Sequence, residues 1–110
     1  MITGIGIDII EIERIEKLLS TKENFLERNF TAAEREQNSK PETVAGNFAA
    51  KEAFAKALGT GFRGFGLNDV EVLRDELGAP YIMFRNEKSN ACVSISHNRT
   101  TAVAVVIIEA

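Results

Sequence analysis

The sequence predicts an α+β domain in which one long helix packs on an antiparallel sheet. Residues 41–61 carry a single long helical pattern rich in Ala, Lys, Glu, Phe and Leu, which begins at a proline and stops at glycines. The last third of the chain alternates apolar and polar residues in short runs that turn residues separate. With 110 residues and no linker rich in Pro, Gly or Ser, the chain suits one domain over residues 1–110.

Composition excludes several classes of protein. The net charge of −3 argues against general nucleic-acid binding, which needs a basic surface. The longest apolar run is far too short to span a bilayer and no signal peptide is visible, so we expect a cytoplasmic protein without a membrane partner. The only cysteine, Cys92, lies in a strand-like run, which favours a buried thiol in a reducing compartment. Cys92 and His97 alone cannot form a zinc site.

The first predicted strand, residues 2–10, has two unlike faces. One face carries Ile5, Ile7 and Ile9, and the other carries Gly4, Gly6 and Asp8. A face with two glycines and an acid is a poor core face, and glycine within a strand often marks the close approach of a ligand or of another backbone. Asp8 by itself is either an exposed aspartate of an edge strand or a functional carboxylate.

A helical period follows over residues 11–20, with Ile12, Ile15 and Leu19 on its buried face. The opposite face carries Arg14, Lys17 and Leu18. Such a face is ordinarily solvated charge. The alternative is a docking patch for an acidic partner, with Leu18 as a small apolar anchor.

Two further segments precede and follow the central helix. After a short amphipathic piece over residues 23–29, Thr31 and Glu34 have the spacing of a capping box, which we interpret as structural. Residues 59–66, GTGFRGFG, combine glycines with an arginine. Such a loop can wrap a phosphate with backbone N–H groups, but without a Walker pattern a plain loop is equally well supported.

The central helix is predicted to bury one apolar stripe, made of Val44, Phe48, Ala55 and Leu58. Glu52 and Lys56 are four residues apart and project together beside that stripe, next to small alanines. They are either a solvated ion pair or a carboxylate and an ammonium at a place where a ligand can approach.

The last third is predicted to form strands over residues 69–73, 81–84, 91–96 and 102–108. A hairpin tip at residues 97–100 joins the last two. Because residues 102–108 are apolar throughout, both faces of this strand must be buried, by its own sheet or by a neighbouring subunit. Ser96 and His97 point to opposite strand faces, so no serine-hydrolase geometry follows.

The order and spacing of four motifs resemble the signature of the 4′-phosphopantetheinyl transferases, and most closely their short bacterial type, the holo-[acyl-carrier-protein] synthases. The motifs are Gly4-Ile5-Gly6-Ile7-Asp8, Phe48-Ala49-Ala50-Lys51-Glu52-Ala53-Phe54-Ala55-Lys56, Gly59-Thr60-Gly61 and Ser94-Ile95-Ser96-His97. The resemblance covers essentially the whole chain. It implies transfer of phosphopantetheine from coenzyme A to a serine of apo acyl carrier protein, release of 3′,5′-ADP, and a role in fatty acid biosynthesis.

The resemblance also implies roles for single residues. Asp8 and Glu52 would be the ligands of Mg²⁺, a hard ion that suits carboxylates, water and substrate phosphates. Glu52, directly or through water on the metal, is the candidate base, and Lys56 would stabilise or protonate the departing 3′,5′-ADP. The nucleotide would be lined by Lys56, Gly59, Ser96 and His97. The active sites would lie between the protomers of a homotrimer. The patch of Arg14, Lys17 and Leu18, proposed above from the charge pattern alone, would then be where the acidic carrier docks.

The sequence departs from the family at three places. Ile10 stands where larger members have a second acid, Asn47 stands where close relatives often have arginine, and Thr101 stands where an aromatic residue is common. Water must therefore complete the metal coordination, and Arg63 or Arg99 would have to replace the missing cation. The alternative function is a non-catalytic assembly domain that binds coenzyme A or a nucleotide. Intact Asp8, Glu52 and Lys56 favour the enzyme, because simple binding needs no paired carboxylates beside a lysine.

Overall fold

The structure, a computed structural model, describes all residues from Met1 to Ala110 and confirms the α+β class. The helices are α1 (Ile12–Thr21), α2 (Phe25–Asn29), α3 (Ala32–Gln37) and α4 (Pro41–Leu58), with a 3₁₀ turn at Leu67–Asp69. The strands are β1 (Ile2–Glu11), β2 (Val70–Arg74), β3 (Pro80–Phe84), β4 (Glu87–Lys88), β5 (Ala91–His97) and β6 (Thr101–Glu109). No helix has the length and apolar character that crossing a bilayer would require.

The strands form two antiparallel sheets of three strands each, where the sequence predicted one. The first has the order β1-β6-β5 and the second has the order β2-β3-β4. The short strand β4 escaped prediction because it is only two residues long and follows a tight turn in which Arg85 and Asn86 both have positive φ. The second sheet covers a side of α4 that the first sheet leaves free.

The central helix α4 is buried on nearly every side, so the prediction of one apolar stripe is wrong. It packs against β1, β5, β6, β2 and α1, and its buried residues include Asn47 and Lys51. Leu58, which we placed in the stripe, is exposed, and Phe48 is only half-buried. Two sheets enclose the helix, and its many alanines allow close approach on all sides.

The glycine face of β1 is the face that packs on α4, contrary to our prediction that it is a poor core face. A Cβ added at Gly4 would overlap the carbonyl oxygen of Ala57, and one added at Gly6 would overlap that of Ala53. The isoleucines of the other face, Ile5, Ile7 and Ile9, are 63%, 59% and 69% exposed. The glycines therefore mark the approach of a backbone, which brings the strand that carries Asp8 against the helix that carries Glu52 and Lys56.

We expect Gly6→Ala to destabilise the fold by at least about 3 kcal/mol, because the added methyl group forces β1 away from the backbone of α4. The urea midpoint of unfolding measures the effect. Gly66→Ala is the matched control, because Gly66 has φ −117° and open space around it, and its midpoint should change little. Equal midpoints for the two variants would contradict this account of the glycine face.

One face of the first sheet is left open. In β6, Ala102, Ala104 and Val106 are buried against α4, while the alternate residues are only partly covered. Ile5, Ile7 and Ile9 pair across the strands with Ile107, Val105 and Val103, and these six residues are called the open face below. Burial of β6 on both faces is thus not achieved within one chain. Cys92 lies on the same side of the sheet and is exposed, so our prediction of a buried thiol is wrong.

A buried ion pair that the sequence analysis missed fixes α4 to its neighbours. Lys51 is 0% exposed, and its Nζ donates to Glu34 Oε1 at 2.7 Å, to the carbonyl of Asn29 at 2.9 Å and to that of Leu67 at 3.0 Å. Burial lowers the pKa of Lys51, and the carboxylate of Glu34 opposes that change. The capping box of Thr31 and Glu34 is confirmed, and the same Glu34 carboxylate accepts the hydrogen bond from Lys51, the residue before Glu52 on α4.

Candidate active site

Asp8, Glu52 and Lys56 come together where β1 crosses α4. Lys56 Nζ lies 3.0 Å from Asp8 Oδ1 and donates to the carbonyl oxygen of Ile7, also at 3.0 Å. The Asp8 side chain is 19% exposed and that of Lys56 is 55% exposed. Of the two alternatives left open for Glu52 and Lys56, the solvated ion pair within the helix is not formed. Lys56 instead pairs with Asp8 of β1, at a surface where a ligand can reach it.

The carboxyl group of Glu52 has a raised pKa. Partial burial raises the pKa of Glu52, and the nearby charge of Asp8 raises it further. The cations Lys56 and Arg14 act in the opposite direction and are the smaller influences. A carboxylate with a raised pKa is a better proton acceptor than an ordinary glutamate, and a pair of repelling carboxylates is stabilised by a bound cation.

The donor set fits a hard divalent cation that retains most of its water. Asp8 and Glu52 supply carboxylate oxygens from two elements, and no third His, Cys, Asp or Glu joins them in a cluster. Ile10, on the same side of β1 as Asp8, is apolar and buried and contributes no ligand. Mg²⁺ binds proteins through one or two carboxylates together with water and substrate phosphates, so the residues present suit this ion.

Gly59 lies at the same end of α4 as the carboxylates. It ends the helix with φ 82°, and its N–H donates to the carbonyl of Lys56. The following loop has positive φ at Gly61 and Gly64, and Arg63 is exposed on it. The glycine-rich loop therefore begins next to the lysine of the cluster.

Ser96 and His97 are not brought to this cluster within one chain. Ser96 is exposed on the same side of the sheet as the open face, where it pairs with Val103. His97 lines a cavity of about 450 Å³ with Arg99 and, at the start of α4, Glu42. Ten residues of helix separate Glu42 from Glu52, which is about 15 Å along the axis. The predicted site residues thus form two groups that do not meet within one chain.

Of the three residues of the predicted docking face on α1, two are exposed as expected and one is not. Arg14 and Lys17 are exposed, but Leu18 is half-buried and packs against the core. Leu18 is therefore not the freely exposed anchor that the sequence predicted, because α2 folds back beside it. The positive charge of Arg14 acts to lower the pKa of Glu52, so this part of α1 lies near that carboxylate.

The structure gives Asn47 and Asn98 partners that sequence reasoning missed. Asn47 is buried, and its Oδ1 accepts a hydrogen bond of 2.9 Å from Arg74 of β2. Arg74 thus supplies a guanidinium beside Asn47. Asn98 Oδ1 accepts from the backbone N–H groups of Thr100 and Thr101 and fixes the hairpin tip that carries His97. Only the second arrangement has a local sequence signal, an asparagine in a turn.

Comparison with known proteins agrees with the motifs. The family model of the 4′-phosphopantetheinyl transferase superfamily matches residues 4–107. The chain is 53% identical to the holo-[acyl-carrier-protein] synthase of Clostridium botulinum strain Eklund 17B, over 99% of this chain and 98% of the relative. It is 49% identical to the enzyme of the same name from Clostridium beijerinckii, over 100% of this chain and 99% of the relative.

Solved structures give the same picture. A holo-(acyl-carrier-protein) synthase from Bacillus anthracis, in complex with CoA (3′,5′-ADP), is 43% identical with a TM-score of 0.87, covering 100% of this chain and 98% of that one. The Helicobacter pylori holo-[acyl-carrier-protein] synthase, in complex with coenzyme A, is 34% identical with a TM-score of 0.85, covering 96% of this chain and 99% of that one.

Proposed function

Because this chain belongs to the 4′-phosphopantetheinyl transferase superfamily, as an enzyme of the holo-[acyl-carrier-protein] synthase type, we propose that it moves 4′-phosphopantetheine from coenzyme A to a serine of apo acyl carrier protein. The observation that carries this proposal is the meeting of Asp8, Glu52 and Lys56 at the crossing of β1 and α4. The reaction needs a proton acceptor and positive charge at one place, and these side chains offer both.

In the proposed reaction the serine oxygen attacks the phosphorus of coenzyme A that bears pantetheine. The new P–O bond forms as the bond to 3′,5′-ADP breaks. Glu52 accepts the serine proton, directly or through a water, and Lys56 stabilises the charge that develops on the leaving 3′,5′-ADP. Asp8 and Glu52 would hold Mg²⁺, which when bound neutralises charge on the pyrophosphate.

We further propose that the complete site lies between protomers of a homotrimer. Lys56 and Gly59 of one protomer and Ser96 and His97 of a neighbour would bind the nucleotide of coenzyme A, with Arg99 next to His97 supplying a cation. Two observations support this arrangement. The two groups of site residues lie far apart in one chain, and the open face exposes a contiguous apolar surface that a neighbour would cover. The exposed thiol of Cys92 suits a reducing compartment such as the cytoplasm.

The function is tested by incubating the protein with coenzyme A, Mg²⁺ and apo acyl carrier protein and measuring the mass of the carrier. The expected result is a gain of one phosphopantetheine group, with 3′,5′-ADP as the other product. A non-catalytic assembly domain would bind coenzyme A and leave the carrier unchanged, and that outcome would refute the proposal. Omitting Mg²⁺ tests the metal dependence separately.

For the carrier, we propose docking on the exposed cations of α1. Acyl carrier proteins are typically acidic, so Arg14→Glu and Lys17→Glu should each raise the KM for the carrier by about tenfold, and the effect should shrink with added salt. The KM for coenzyme A should stay unchanged in Lys17→Glu, which is the cleaner variant because Arg14 also influences Glu52.

Lys88→Glu is the matched control for charge reversal, because Lys88 is an exposed residue of β4 in the other sheet. Its carrier kinetics should equal those of the unmodified protein. If Lys17→Glu and Lys88→Glu behave alike, α1 does not belong to the docking surface.

A further inference from the structure

The ammonium of Lys56 lies on the carboxylate that the proposed function assigns to the metal ion. Its Nζ is 3.0 Å from Asp8 Oδ1, within ion-pair distance. The carbonyl oxygen of Ile7 accepts a second hydrogen bond from the same nitrogen at 3.0 Å. The ammonium is therefore held at two points on the backbone and side chain of β1, rather than projecting freely toward solvent.

Through this contact the ammonium of Lys56 already neutralises part of the negative charge of the carboxylate pair. Asp8 and Glu52 are close enough to repel each other. Lys56 is in contact with Asp8 and influences Glu52 more strongly than Arg14 does. A divalent cation that approaches Asp8 is attracted by the two carboxylates and repelled by the ammonium that already neutralises one of them. The contact between Lys56 and Asp8 therefore competes with the binding of a metal ion to Asp8.

The ammonium can also leave Asp8 without unfolding anything. Lys56 has a flexible side chain that is 55% exposed, and an exposed ion pair of this kind is weak. An anionic group bound beside the helix end offers the ammonium a second partner. When the ammonium moves to that partner, the full charge of Asp8 becomes available to a metal ion.

We propose that Lys56 is a built-in counter-ion of Asp8, which weakens metal binding until a phosphate ligand draws the ammonium away. Metal and nucleotide then bind cooperatively because one lysine changes partners between them. The inference rests on the proposed function, which places the metal on Asp8 and Glu52. Coupling between two ligands is reciprocal, so each should raise the affinity of the other by the same factor.

The test measures binding of Mn²⁺, a paramagnetic substitute for Mg²⁺, to the full chain without coenzyme A, by water-proton relaxation. Lys56→Met should bind Mn²⁺ more tightly than the unmodified protein, on the order of tenfold, because the competing charge is gone. Lys40→Met is the matched control at the far end of α4, about 24 Å along the axis, and should change the affinity by less than twofold. Lys56→Gln repeats the measurement with a polar side chain, should the methionine variant be poorly folded.

A second measurement adds 3′,5′-ADP. In the unmodified protein the nucleotide should raise the Mn²⁺ affinity, and in Lys56→Met this enhancement should be smaller, because no ammonium remains to be moved. The Mn²⁺-induced rise in Tm should follow the same order as the affinities. Equal or weaker Mn²⁺ binding in both Lys56 variants overturns the counter-ion role alone. Unchanged binding in Asp8→Asn, or no binding by the unmodified protein, overturns the metal placement in the proposed function as well.

Discussion

Asp8→Asn and Glu52→Gln should each lower the turnover of phosphopantetheine transfer by at least about 10²-fold while the protein stays folded. Each substitution preserves the shape of the side chain and removes one of the two charges that would hold Mg²⁺. The cost should be large because a metal ion contributes several kcal/mol of charge stabilisation in the transition state. Mass spectrometry of the carrier measures turnover, and circular dichroism checks the fold.

The two variants should differ in their response to metal. Asp8→Asn removes a ligand and leaves the proposed proton acceptor in place, so a high concentration of Mg²⁺ should restore part of its turnover. Glu52→Gln removes the proposed proton acceptor as well, so added Mg²⁺ should restore little. Glu36→Gln, an exposed position on α3, is the control and should retain full turnover. Near-normal turnover of Asp8→Asn or Glu52→Gln at limiting Mg²⁺ would contradict the two-carboxylate site.

Elements with strong local signals were predicted from sequence almost to the residue. The central helix was expected to begin at Pro41 and to stop at Gly59, and α4 spans Pro41–Leu58. Proline is preorganised for the first helical position, and glycine tolerates the left-handed conformation that ends a helix. Both signals act within a few residues of the boundary, so no knowledge of the tertiary structure was needed.

The orientation of these elements was harder to predict, because periodicity separates two faces without saying which one is covered. In β1 the glycine face packs on α4 and the isoleucine face is exposed, the reverse of the usual assignment. On α4 the two lysines look alike in sequence, yet Lys51 is buried with Glu34 while Lys56 is half-exposed beside Asp8. Partners from distant segments decide both outcomes, and no local pattern encodes them.

Contacts between site residues that are close in sequence could be predicted, and contacts between distant residues could not. Helical spacing alone placed Glu52 beside Lys56, because i and i+4 residues share a face. The strand pattern made Asp8 a candidate by itself, but only the resemblance to a family joined it to Glu52, since 44 positions of chain separate the two, and the structure brings them together. Ser96 and His97 remain a prediction, because within one chain they lie apart from the carboxylates.

Val105→Asp should dissociate the proposed trimer and abolish most of the activity, although it alters no catalytic group. Val105 belongs to the open face and pairs across β1 and β6 with Ile7, so a carboxylate there would be buried without a partner in the assembly. The neighbouring Val106 is unsuitable for this purpose. Val106 is 0% exposed against α4, so a charge there would unfold the chain itself.

The same substitution at the two neighbouring valines therefore separates loss of assembly from loss of folding. Sedimentation should find Val105→Asp as a folded monomer with at least about a tenfold loss of turnover at concentrations where the unmodified protein is assembled. Val106→Asp should lose its helical circular dichroism. A trimeric, fully active Val105→Asp protein would remove the open face from the interface.

If each active site is built from two protomers of the proposed trimer, one further result is expected. If Glu52 of one protomer works with His97 of its neighbour, a Glu52→Gln protein and a His97→Ala protein are defective in different halves of the site. Dissociating and reassembling a mixture should create interfaces in which both halves are intact, so activity should exceed the sum of the two separate proteins. Adding Val105→Asp to both should abolish this gain, because no hybrid interface can then form. A fully active monomer would refute the shared site, since within one chain His97 lies beside Glu42, about 15 Å along α4 from Glu52.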